Sequence, residues 1–383
     1  MTKDPEEGGG MALDNKERLR RYGDIKKRMA EKGLDALIVC NSAQITEKGF
    51  VKYLTSFRSV LYNLFIIFPF NGDPKLFVPS PVQEYWAKRL GWISDVEIIQ
   101  GRSENLAANL EIMGLSRGKI GIVSRKIMPT DIYLALTEKF PKAAFVEATE
   151  IIEDARMSKS AEEQQLVRQA ASIADESFTV LAEVCKPGIS EREIIGEVDR
   201  VLIAKGAEDI FHLLSSDPES LFTYMPSDRK IQKGDTVIMN TELSGPCGYW
   251  VQMIRTCFIG KPKNQTEKLF NDLMEIRTEF SRLLYPGKPL AEIADTIRTS
   301  IIKNGYQTGV NFGHCLGLDV VERPQVHVNE TESLRSGMVI TVHPQLVSHE
   351  HQATVWMGDT YLITDDGPET LTQTDPLSIK ILT

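Results

Sequence analysis

A chain of 383 residues is longer than one ordinary hydrophobic core fills, and it predicts two domains. Its 42% apolar and 25% charged residues are ordinary for a globular protein, and a net charge of −9 argues against a surface built for nucleic acid. No apolar run approaches 18 residues, which excludes a transmembrane helix and predicts no membrane partner.

The first ten residues are polar and lack the apolar core of a signal peptide. Lys16 to Lys32 then reads as an amphipathic helix stopped by Gly33. Ala36 to Cys40, Leu61 to Phe70, Lys75 to Val78, Val96 to Gln100 and Lys119 to Val123 read as strands. Helices over Pro81 to Leu90 and Thr130 to Phe140 separate several of them, so residues 13–154 are expected to form an α/β domain. A boundary is expected at about Ile152 to Lys159. Beyond it, Ser160 and Glu163 form the capping box of a long helix reaching Val184.

Residues 160–383 contain a repeat. Lys186-Pro187-Gly188 with a periodic helix to Lys205 resembles Tyr285-Pro286-Gly287 with a helix to Lys303. Each is followed by a glycine-introduced strand, Lys233 to Asn240 and Ser336 to His343. Two copies are too few for a solenoid, and a duplicated α+β unit closing on itself is the better reading. The five cysteines (Cys40, Cys185, Cys247, Cys257, Cys315) lack CxxC spacing, which suits free thiols in a reducing cytoplasm.

The segment Gly313-His314-Cys315-Leu316-Gly317-Leu318-Asp319-Val320-Val321-Glu322-Arg323-Pro324 resembles the GHGxGxxxHExP signature of the creatinase/aminopeptidase, or pita-bread, family, which includes Xaa-Pro peptidases. The resemblance covers nearly the whole chain. It implies a creatinase/prolidase-like N-terminal domain, a duplicated pita-bread domain carrying the site, and a homodimer. In the metallopeptidases of this family two aspartates, one histidine and two glutamates hold two divalent ions, because hard dications want anionic oxygen. The corresponding residues here are Asn240, Gln252, His314, His343 and Gly358. All four carboxylates are gone, so no metal and no other cofactor is expected. The flanking text (Gly248-Tyr249, Arg255-Thr256, Pro324, Pro344) is intact, which reads as a converted pocket and not a decayed one.

Creatinase is a metal-free branch of the family and also carries asparagine at the first ligand position. The match then stops. Ile254 replaces the glutamate before the Arg-Thr pair, and Tyr224 replaces a histidine in the preceding loop. The last glutamate is missing at Met357-Gly358. A pocket without those carboxylates suits a guanidinium poorly. The resemblance therefore implies a metal-independent, creatinase-like hydrolase cleaving a C–N bond of a small polar molecule. In that reading His314 and His343 shuttle protons, Tyr224 donates one, and Glu322 orients His314. Asn240, Gln252, Arg255, His212 and, from a neighbouring subunit, Arg58 hold the substrate. For each histidine the plainer alternative is a buried ring bonded to backbone, and for Tyr224 a packed aromatic. Two other readings stand beside this one: a non-catalytic ligand- or partner-binding protein, and a mononuclear metal enzyme using His314 and His343. His349-Glu350-His351 reads as a solvated loop.

Overall fold

The computed structural model describes residues 13–42, 46–58, 63–217, 220–377 and 381–382, and the chain divides into two compact units between Arg156 and Met157. The N-terminal unit runs α1 (Asn15–Lys32), β1 (Ala36–Cys40), α2 (Gly49–Thr55), β2 (Phe65–Pro69), β3 (Lys75–Val78), α3 (Pro81–Leu90), β4 (Val96–Ile98), α4 (Arg102–Ile112), β5 (Lys119–Val123), α5 (Thr130–Lys139), β6 (Ala144–Glu147) and α6 (Thr149–Met157). Its six strands lie in the order β4-β3-β2-β1-β5-β6, with β2 antiparallel to both of its neighbours and the other pairs parallel. Burial follows the sequence. Every residue of β1 and β2 is buried, as apolar runs covered on both faces require. Asp14 caps α1 by accepting from Glu17 N at 2.8 Å, and Gly33 ends it with φ 61°.

Three expectations need adjustment here. The strand expected from Leu61 begins at Phe65, with 61–62 outside the described residues. The strand from Val96 ends at Ile98. Residues expected to open the domain boundary are helical, because Ile151, Ile152 and Ala155 bury one face of α6.

The C-terminal unit comprises α7 (Ala161–Val184), α8 (Glu191–Ala204), β7 (Asp209–Ser215), β8 (Thr236–Ser244), β9 (Trp250–Ile259), α9 (Asn264–Ser281), α10 (Leu290–Lys303), β10 (Asn311–Cys315), β11 (Glu322–His327), β12 (Val339–Val342), β13 (Gln345–Ser348), β14 (Ala353–Trp356), β15 (Asp359–Thr364), β16 (Gly367–Thr370) and β17 (Ile381–Leu382). The strands form sheets β17-β9-β8-β7 and β11-β10-β12-β15-β16, with β13 and β14 pairing separately. The repeat in the sequence is a repeat in structure. Gly188 N donates to Ile231 O, and Gly287 N donates to Leu334 O in the second half. Ser190 bridges Lys230 as Pro289 bridges Ser333. The paired glycines at 188/287, 206/305 and 234/337 all have left-handed φ of 83–100°, a conformation that costs other residues a clash at Cβ. The two halves meet where β9 contacts β15, and that seam positions the site.

Candidate functional site

Asn240 and Glu242 lie on β8, Gln252 and Ile254 on β9. Asn240 pairs with Ile254 and Glu242 with Gln252, so the period of two puts all four on one face. Asn240 Nδ2 donates to Glu242 Oε1 at 2.7 Å. Gln252 Nε2 donates to the same oxygen at 3.0 Å and to Asn240 Oδ1 at 3.2 Å. Two acceptors thus fix the Gln252 nitrogen, and its Oε1 is left buried without a hydrogen-bond partner. Burial raises the pKa of the half-buried Glu242 carboxyl, against the opposing hydrogen bond from Asn240. Glu242 is not among the residues expected from the motifs; the one sequence signal for it is its spacing of two from Asn240 on a strand.

On the facing sheet, His314 on β10 stands opposite Thr341 on β12, which stands opposite Thr360 on β15. The Thr360 hydroxyl accepts from Gln252 N at 3.0 Å and donates to Gln252 O at 2.7 Å, tying the two sheets together. Ile254 and Gly358 complete the seam with a reciprocal pair of backbone bonds. His314 Nδ1 lies 3.0 Å from Cys315 O; a carbonyl only accepts, so Nδ1 carries the proton and Nε2 is the acceptor. The His343 ring meets His314 edge to face at 5.4 Å between centroids, and Trp356 at 5.9 Å. Trp356 Nε1 donates to His343 O at 2.8 Å. Burial pushes the His314 imidazole down to about 4. Burial, and then the neighbouring His314, push His343 down to about 3. Both rings are therefore neutral at pH 7, and burial makes each a weaker base than an imidazole in water.

Gly358 is closed to any side chain. A Cβ built there would lie 2.8 Å from His343 Cβ and 3.0 Å from Ile254 Cδ1. The volume that a glutamate at this position would need is filled by two of the other replacements.

Several residues expected to serve the site are placed elsewhere. His212 pairs with Thr241, whose side chain leaves the sheet on the face opposite Asn240. Its ring nitrogens meet Thr241 Oγ1 at 3.1 Å and Asp199 Oδ1 at 3.0 Å, so it is a bonded core histidine. Arg255 alternates with Ile254 and also points away. It binds the Asp359 carboxylate at 2.6 Å and the carbonyls of Ile254, Gly358 and Thr374. Burial alone would raise Asp359, but Arg255 and Arg277 hold it below the usual carboxylate range. Glu322 forms a buried ion pair with Lys159 Nζ at 3.0 Å and accepts from Asp319 N. Tyr224 is 77% exposed on the loop after β7, so it is not a packed aromatic. Arg58, half-buried after α2, belongs to the N-terminal unit. Burial pushes the Cys315 thiol up to about 12, which excludes a thiolate there. Beside His343 opens a cleft of about 440 Å³ whose lining includes His343, Trp356, Phe222 and His349, the last from the His349-Glu350-His351 turn.

The donor set does not fit a pair of dications. Asn240 and Gln252 are occupied with each other and with Glu242, position 358 is closed, and among the described residues no group of three His, Cys, Asp or Glu side chains is arranged to hold a metal.

Comparison with known proteins gives the same architecture. Residues 165–365 match the model of metallopeptidase family M24, and residues 21–158 match the creatinase/prolidase N-terminal domain. An uncharacterized peptidase of Bacillus subtilis is 27% identical over 366 residues, covering 94% of this chain and 99% of that protein. An Xaa-Pro dipeptidase of Pyrococcus horikoshii is 28% identical over 65% of this chain and 72% of its own length. The crystal structure of the prolidase from Pyrococcus horikoshii superposes with a TM-score of 0.81 at 26% identity, covering 93% and 98% of the two chains. The prolidase of Thermococcus sibiricus gives a TM-score of 0.84 at 24% identity, covering 97% and 100%. These relatives are peptidases, and a hydrolase is the activity class they support. With its pita-bread fold, its creatinase-type N-terminal domain and a family match over half its length, the chain belongs to metallopeptidase family M24.

Proposed function

We propose that this protein is a metal-independent hydrolase that cleaves a C–N bond of a small polar substrate, acting as a cytoplasmic homodimer in which Arg58 approaches the neighbouring subunit's site. The observation that carries the reading is the His314–His343 ring pair beside an open cleft, in a site whose donors suit no dinuclear centre. Neutral His314 Nε2 takes a proton from water. The water oxygen bonds to the substrate carbon, the C–N bond breaks, and the proton is delivered to the leaving nitrogen. A desolvated imidazolium is a stronger acid than one in water, which favours that delivery. Asn240, Gln252 and Glu242 supply hydrogen-bonding groups on the facing wall.

The test is turnover of amide and ureido substrates by protein prepared with a chelator. Activity should survive metal removal and disappear in His314→Ala and His343→Ala with the fold retained. Full activity in either variant sinks the assignment of roles. Stoichiometric metal required for turnover sinks metal independence. A folded protein that binds a ligand in the cleft and turns over none favours a binding protein.

A further inference from the structure

The cleft beside His343 is lined by aromatic and uncharged side chains together with two imidazoles. Among its described lining residues there is no Asp, Glu, Lys or Arg. Its walls are aromatic, with Phe222, Phe312 and Trp356, and His343 continues the row. Trp356 meets His343 edge to face, and His343 meets His314 in the same way, so the row of rings leads from the cleft to the candidate proton acceptor. The polar side chains on the lining are amides, a hydroxyl and imidazoles. The side chains of Gln307, Thr308 and His349 line it, and they make no hydrogen bond within the described residues.

A zwitterionic dipeptide brings an ammonium and a carboxylate, and each is costly to desolvate without a counter-charge. Within one protomer the described lining offers no carboxylate, ammonium or guanidinium. An aromatic ring, by contrast, gains both burial and edge-to-face contact against Trp356 and Phe222. The free amide and hydroxyl groups match an amide's own donor and acceptor.

Resting on the hydrolase reading above, we infer that the cleft takes a small uncharged aromatic amide, with its ring against Trp356 and Phe222 and its amide group toward His343. A lining without carboxylate, ammonium or guanidinium would then select against the charged ends of a dipeptide.

Calorimetric titration of the full chain with benzamide, benzoate and benzamidine compares one ring carrying three charges, and glycyl-proline supplies the zwitterion. Benzamide should bind, with benzoate, benzamidine and glycyl-proline weaker by about tenfold or more. Trp356→Leu should weaken benzamide binding about tenfold. Phe222→Ala, which removes an exposed ring at no cost to the core, should weaken it several-fold. The inference is overturned if a charged isostere or glycyl-proline binds as tightly as benzamide. It is also overturned if benzamide shows no binding up to its solubility, or if binding is unchanged in Phe222→Ala and in folded Trp356→Leu. Binding is read without turnover, so benzamide bound but never hydrolysed removes the hydrolase and leaves this selectivity standing.

Discussion

Glu242 and Gln252 face each other across β8 and β9, and the Gln252 amide donates to the Glu242 carboxylate at 3.0 Å while its own oxygen has no partner. One carboxylate thus survives at a site that had lost all four at the expected positions, held by two amides instead of two metals.

The Glu242 carboxyl has its pKa raised by burial, so the folded state holds its proton more tightly than the unfolded chain does. Its contribution to stability is present at low pH and is lost as pH rises through the folded pKa. Glu242→Gln should therefore gain stability relative to wild type between pH 5 and pH 8. Urea unfolding at the two pH values measures it, and a gap that does not change with pH contradicts the raised carboxyl.

The two imidazoles act in the other direction. Their folded pKa values, about 4 and about 3, lie below the ordinary 6.5, so the unfolded chain binds protons first as pH falls. Stability should decline from about pH 6.5 towards pH 4, with His314 contributing about 3 kcal/mol across that window. In His314→Gln this part of the acid slope should vanish. An unchanged slope would place the His314 titration elsewhere.

Position 358 should resist every side chain. Gly358→Ala drives a Cβ against His343 and Ile254 and is expected to cost about 1–3 kcal/mol. Gly358→Glu should be less stable still and gain no manganese or cobalt by equilibrium dialysis. Tight metal binding by that variant would show the pocket to be less committed than its packing indicates.

Lys159 and Glu322 form an ion pair with both side chains almost wholly buried. Lys159→Met removes the lysine from this buried pair and should cost about 3–5 kcal/mol. The double variant Lys159→Met/Glu322→Leu should recover most of that in chemical denaturation. Failure to recover would mean that Glu322's bonds around Asp319 matter more than the pair.

Arg255 belongs to the same class of prediction. Arg255→Met removes one of the two arginines paired with buried Asp359 and should destabilise by about 3–5 kcal/mol, whereas Tyr224→Phe should leave the melting temperature unchanged. A Tyr224→Phe protein with lost cleft binding would return that tyrosine to the site.

The family, the two-unit organisation and the duplication were legible in the chain because they rest on local signals. Turn glycines, capping boxes and hydrophobic periods depend on residues a few places apart, and the Gly313–Pro324 motif is one continuous segment. His314, His343, Asn240 and Gln252 were found the same way, each inside its own motif. What the residues face was not legible. A strand residue and its neighbour point to opposite faces, and that single alternation sends Ile254 into the site and Arg255 into the core. It also turns His212 towards Thr241 and Asp199. Glu242 escaped notice because its role comes from Gln252, ten residues away and adjacent only through strand pairing. Local patterns in the chain were enough to specify the fold and the replacement of the four carboxylates. Which side chains share the pocket followed from cross-strand register and the packing around Gly358, which are set by contacts between residues distant in the chain.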